Sequence, residues 1–105
     1  MEQPNFSEID KITNGDKIVE QKIVGVILKE FPVEKEMYFE YLDKKNNERT
    51  AAYVHKLKHK ISILGLVKGY EVATTYEENL KIDCYDYQKD FEQVLAVITT
   101  YLSKL

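Results

Sequence analysis

The chain carries two histidines, His55 and His59, spaced one helical turn apart inside a basic run, His55-Lys56-Leu57-Lys58-His59-Lys60. A neutral imidazole presents a lone pair near neutral pH and can act as a nucleophile without a separate base. An adjacent ammonium supplies charge for an anion. Phosphoryl transfer asks for little beyond such alignment and charge stabilisation.

The flanking residues indicate how these groups are presented. Val54, Leu57, Ile61 and Leu64 recur at the spacing of a helix with one buried face. At about 100° per residue, His55, Lys58, His59 and Ser62 share a different arc of that helix, pointing away from the core. Lys56 and Lys60 lie further round and are expected to form a solvated face. Ala52 and Ile63 fall beside His55 and give the polar arc an apolar shoulder. An exposed imidazole with cations and apolar side chains around it suits a site that meets an anion on another macromolecule.

The rest of the composition narrows the class. A chain of 105 residues fits one domain, which buries roughly two-thirds of its unfolded surface. The hydrophobic fraction of 44% supports a core and the charged fraction of 31% a polar surface. A formal net charge of -3 argues against a general nucleic-acid binder. The single cysteine, Cys84, cannot form an internal disulfide and suits a reducing compartment. With no histidine near it in sequence, it is read as a helix-end packing residue. Met1-Glu2-Gln3-Pro4 lacks signal-peptide character, and no apolar run reaches membrane-spanning length. A cytoplasmic protein without a membrane partner is expected.

The elements that must hold the histidines are helical throughout. Residues 6–13 form a short first helix ended by Asn14-Gly15, and Asp16 caps the next. That helix carries a wide apolar face of Ile18, Val19, Ile23, Val24, Ile27, Leu28 and Phe31, with Gly25 read as a point of close helix contact. Phe31-Pro32 is expected to break or bend it, and Pro32 can equally open a further helix over 33–44. The histidine helix spans about 48–64, and Gly65 ends it. Residues 66–81 form the following helix, and Asp86 caps a last one bearing Phe91, Val94, Leu95, Ile98, Tyr101, Leu102 and Leu105. The eight tyrosines are read as packing residues with wet hydroxyls. No run of period-two alternation competes. The expected fold is all-α, an antiparallel up-and-down four-helix bundle with a short N-terminal helix, in a single domain over 1–105.

The turn at Gly65 permits one geometric inference. His55 lies ten residues before it and Glu77 twelve after it, so the two should stand roughly level on adjacent helices. Glu77 can then accept a hydrogen bond from one ring nitrogen and leave the other free as the nucleophile. Lys58, one turn beyond His55, can pair with an anion on that nitrogen, and Lys81 adds a weaker field.

At these residues the chain resembles the histidine-containing phosphotransfer domain of bacterial and fungal two-component phosphorelays. The family motif, His-x-Leu-Lys-Gly with a glycine ten residues after the histidine, is met here by His55-Lys56-Leu57-Lys58-His59 and by Gly65 within Leu64-Gly65-Leu66. Val72-Ala73 and Tyr76-Glu77 match the helix that follows, and Asn14-Gly15-Asp16 and Phe31-Pro32 match upstream helix breaks. The resemblance covers nearly the whole chain. It implies a phosphoryl carrier without kinase activity of its own. His55 would accept the group from a receiver-domain aspartate and pass it to another, in a hybrid histidine kinase or a response regulator. Lys58 and Glu77 would assist, and Ala52, Lys56, His59, Ser62 and Ile63 would meet the receiver. The chain would need no cofactor, because the receiver brings the magnesium ion. A monomer is the simpler expectation, since transfer needs an accessible histidine.

Two positions depart from the family pattern. His59 replaces the motif glycine where the receiver comes close, and Gly69 stands where an apolar residue is usual, with Tyr70 read as compensating. The first departure leaves a second function open, a degenerate module that binds a receiver or another partner without transfer. A third possibility comes from His55-x-x-x-His59, which with Glu77 is a conceivable zinc ligand set. Lys58 between those ligands would repel the metal.

Overall fold

The computed structural model describes residues 2–105, which form five α-helices and no strand: α1 Ser7–Thr13, α2 Lys17–Asp43, α3 Asn47–Ile63, α4 Val67–Leu80 and α5 Gln88–Leu102. Among the described residues, no helix is long and apolar enough to cross a membrane. The boundaries follow from local chemistry. Asn14 takes the left-handed conformation that ends α1, and the Asp16 carboxylate accepts from the backbone N–H groups of Ile18 and Val19 at 3.0 and 3.3 Å. Asn46 caps α3 through the Arg49 N–H. The first residue of α4 follows Leu66, which has no capping side chain. Glu2 supplies the missing acceptor from the far end of the chain, taking bonds from the N–H groups of Lys68 and Gly69 at 3.0 and 3.1 Å.

Two expected boundaries differ. Helix α2 runs unbroken through Pro32. Proline deprives the Leu28 carbonyl of its donor, but Leu28 and Pro32 both lie on the exposed side, where water can replace the bond. Ile27, Phe31 and Tyr38 sit on the buried side, spanning the proline and holding both halves to the core. Asp86 does not cap α5; Tyr87 occupies that position in a left-handed conformation, with no side-chain cap. The Asn79 amide fixes the preceding turn by donating to the Asp86 carbonyl.

Helix α3 packs against α2 on one side and α4 on the other, α5 closes on α4 and α2, and α1 rests on α2. The core comes from all five helices, with Ile9, Phe31, Leu57, Tyr76 and Leu95 among its fully buried members. The wide apolar face expected for α2 is only partly used. Ile18, Val19 and Leu28 are exposed, because no helix covers that flank. The tyrosine reading also needs correction at the centre. Tyr38 and Tyr76 are fully buried, and their hydroxyls bond to each other at 2.8 Å and, from Tyr38, to Glu92 at 2.9 Å. Burial raises both hydroxyls above the ordinary tyrosine range, Tyr76 to about 12.

The glycines separate into distinct cases. Gly65, at φ +79°, turns the chain between α3 and α4, and the Asn5 side chain lies where its Cβ would be. Gly69 is buried; a Cβ there would stand 3.1 Å from Val94, 3.2 Å from Ile61 and 3.3 Å from Leu66. Its absence lets α3, α4 and α5 converge, whereas Tyr70 is exposed and does not substitute for it. Gly25 makes no close helix contact, since nothing lies within 4 Å of its missing Cβ.

Alanine scanning of these two helical glycines should therefore split. Gly25→Ala gains helix propensity of up to about 1 kcal/mol, while Gly69→Ala overpacks a three-helix junction at a cost of about 1–3 kcal/mol. Urea unfolding of both variants checks the order, which reverses if the Gly69 contact is soft.

Candidate functional site

Helix α3 reaches the surface between its two neighbours at His55. Its buried residues, Val54, Leu57 and Ile61, fix which arc faces outward. The His55 side chain is 50% exposed, and its Nδ1 lies 3.3 and 3.2 Å from the two carboxylate oxygens of Glu77 on α4. Counting outward from Gly65 thus places this pair correctly. Glu77 is 11% exposed, and Lys58, at 12%, reaches the same carboxylate at 3.0 Å. Lys81 approaches it at 3.7 Å from an exposed position one turn along α4.

Burial raises the Glu77 carboxyl, yet the bonds from Lys58 and His55 and their charges hold it below its ordinary value of 4.5. Glu77 is therefore ionised at neutral pH, and an ionised carboxylate only accepts. Nδ1 of His55 must carry the proton. In the neutral ring this leaves the lone pair on Nε2, which points away from α4 because the two ring nitrogens diverge.

Other residues predicted for the site lie around this centre. His59 is exposed, with its ring edge-on to that of His55 at 4.9 Å between centroids. Ala52, Lys56 and Ser62 are exposed and Ile63 is half-buried, so all four share the outward part of α3. The Lys56 ammonium lies 4.8 Å from the centre of the Tyr53 ring. Lys60 is not the solvated residue expected. It is 14% exposed and bridges α3 to α2 by ion pairs with Glu30 at 2.7 Å and Glu34 at 3.1 Å. Burial works against its charge, but these two carboxylates raise its pKa above the ordinary lysine value. Cys84 is half-buried in the α4–α5 turn, its N–H donating to the Asn79 carbonyl.

Tyr70 was missed as part of this neighbourhood. Its ring on α4 lies 5.5 Å from the Lys58 ammonium. The counting that pairs His55 with Glu77 also sets Lys58, seven before Gly65, near Tyr70, five after it. Among the described residues, no group of three or more His, Cys, Asp or Glu side chains is placed to hold a metal. The one imidazole nitrogen aimed at Glu77 shares that carboxylate with the Lys58 ammonium, a cation where a zinc ion would have to sit.

No protein-family model, curated protein or solved structure matches this chain.

The Glu77 interactions carry a pH signature. A carboxyl held below 4.5 in the folded state contributes stability that is present above that value and lost as pH falls through the lower folded pKa. Glu77→Gln should cost about 1–3 kcal/mol at neutral pH, because Lys58 and His55 lose a charged acceptor. It should also flatten the acid limb below pH 4.5, as followed by urea unfolding at successive pH values.

Proposed function

We propose that this chain is a phosphorelay intermediate that accepts a phosphoryl group on Nε2 of His55 from a receiver-domain aspartate and passes it to another receiver aspartate. In this proposal α2 to α5 form the antiparallel, up-and-down four-helix bundle of a histidine phosphotransfer domain, with α1 as its short N-terminal helix. The observation that carries the proposal is the His55 ring itself. It is half exposed, and its Nδ1 is held by an ionised, largely buried carboxylate. That arrangement prepares Nε2 for attack and leaves it open to a large partner.

The step balances without a further base. The Nε2 lone pair attacks phosphorus, the N–P bond forms, and the P–O bond to the donor aspartate breaks, releasing its carboxylate. The ring keeps its Nδ1 proton and becomes cationic, and the Glu77 carboxylate stabilises that charge. Return of the group to a second aspartate reverses these changes. Lys58 holds Glu77 in place and keeps a positive charge one turn from the reacting nitrogen. The exposed Ala52, Lys56, His59 and Ser62, with the half-buried Ile63 beside them, meet the receiver, which contributes the magnesium ion of this chemistry.

Incubation with a radiolabelled, phosphorylated receiver tests the proposal. The wild type should become labelled, His55→Gln should lose the label, and His59→Gly should retain it. Labelling of His55→Gln with loss in a His59 variant would move the acceptor to His59. Stable receiver binding without label would favour the degenerate module, for which His59 in place of the motif glycine is the specific observation.

A further inference from the structure

The two faces of the His55 ring meet different surroundings. Along a helix the residue three places on lies about 60° to one side of a given side chain, and the residue four places on about 40° to the other. Lys58 and His59 therefore flank His55 on opposite sides. Lys58 turns to α4, where it meets Glu77 and Tyr70. His59 turns to α2, where it borders an apolar groove formed with Ile23, Val26 and Ile63. Since Nδ1 of His55 is tied to Glu77 on the α4 side, Nε2 is directed away from Glu77, and the His59 ring stands edge-on to the same imidazole at 4.9 Å between centroids.

A phosphoryl group on Nε2 is an anion, and Glu77 repels it from the α4 side. The cations around it are unequally free to respond. On α3, Lys58 is engaged by Glu77, Lys60 by Glu30 and Glu34 from α2, and Lys56 lies over Tyr53. From α2, Lys22 lines the groove beside His59. From α4, Glu77 reaches this region only through His55. The His59 ring touches His55, is exposed, and has no hydrogen-bond partner among the described residues.

We infer that His59 is a second phosphoryl-facing imidazole, which in its protonated form donates a hydrogen bond to the phosphoryl group carried on His55. This rests on the proposed carrier function and goes beyond it. His59 then holds the transferred group between visits of the receivers, and phosphorylation of His55 and protonation of His59 favour each other reciprocally.

Phosphoramidate provides a donor that needs no receiver: Nε2 attacks phosphorus, the N–P bond to the donor breaks, and ammonia leaves. The full chain treated in this way, with His55→Gln as control, can be followed by NMR of the ring nitrogens across a pH series. On phosphorylation of His55 the His59 midpoint should rise by about half a pH unit or more, a threefold or greater coupling. The rise should persist at about 1 M salt, where the screening length is about 3 Å and an unbonded charge is no longer felt. A His59 midpoint that does not move, or that moves only at low salt, overturns the inference while leaving the carrier function standing. Failure of phosphoramidate to label His55 overturns both.

Discussion

A single carboxylate, on Glu77, sets the relation between the two helices that frame the histidine. Placing an ionised group at 11% exposure is unfavourable unless partners replace its lost hydration. Lys58 and His55 both come from α3 and lie one turn apart, so they can satisfy it only if α3 and α4 hold one register. Slippage of either helix by a turn would strand a charge. The same requirement that fixes the packing also fixes which nitrogen of His55 carries the proton. Structure and chemistry at this site therefore share one cause.

The basic run of α3 is consequently not a uniform positive field. Lys58 is neutralised towards α4 and Lys60 towards α2. Between them the outward arc retains the two imidazoles and Lys56. Partitioning of the charges keeps the helix from repelling itself and leaves a surface of modest charge around His55. A visiting anion is then attracted by a few groups near the reacting nitrogen rather than by the helix at large. The remaining Glu34 oxygen, Oε1, is buried without a partner, and nothing in the structure explains it.

Behind the site, the successive residues Tyr76 and Glu77 point about 100° apart on α4 and join different neighbours. Tyr76 reaches Tyr38 on α2, which bonds Glu92 on α5, while Glu77 reaches α3. One turn of α4 thus links to every other long helix by polar contacts within an apolar core. Such buried groups are unfavourable unless paired, and pairing them specifies one arrangement over others that would bury similar area. Gly69 contributes in another way, by removing the Cβ that would hold α3, α4 and α5 apart.

The amino-acid sequence determined the all-helical class, the exposure of His55 and its pairing with Glu77, because each depends on spacing along one helix or on counting across one tight turn. Asp16 and Asn14 were legible for the same local reason. Other features needed the assembled tertiary structure, because they depend on which surfaces meet. Pro32 is tolerated since the Leu28 carbonyl it leaves without a donor lies on the exposed side of the helix, Ile18 and Leu28 stay exposed since no helix covers them, and Gly25 and Gly69 differ only in their surroundings. The fate of each lysine was likewise hidden: Lys56 and Lys60 look alike in a basic run, and only the acidic residues of α2 set Lys60 apart as an interhelical bridge. Periodicity reports the direction of a side chain from its own axis, whereas partners are contributed by helices distant in sequence.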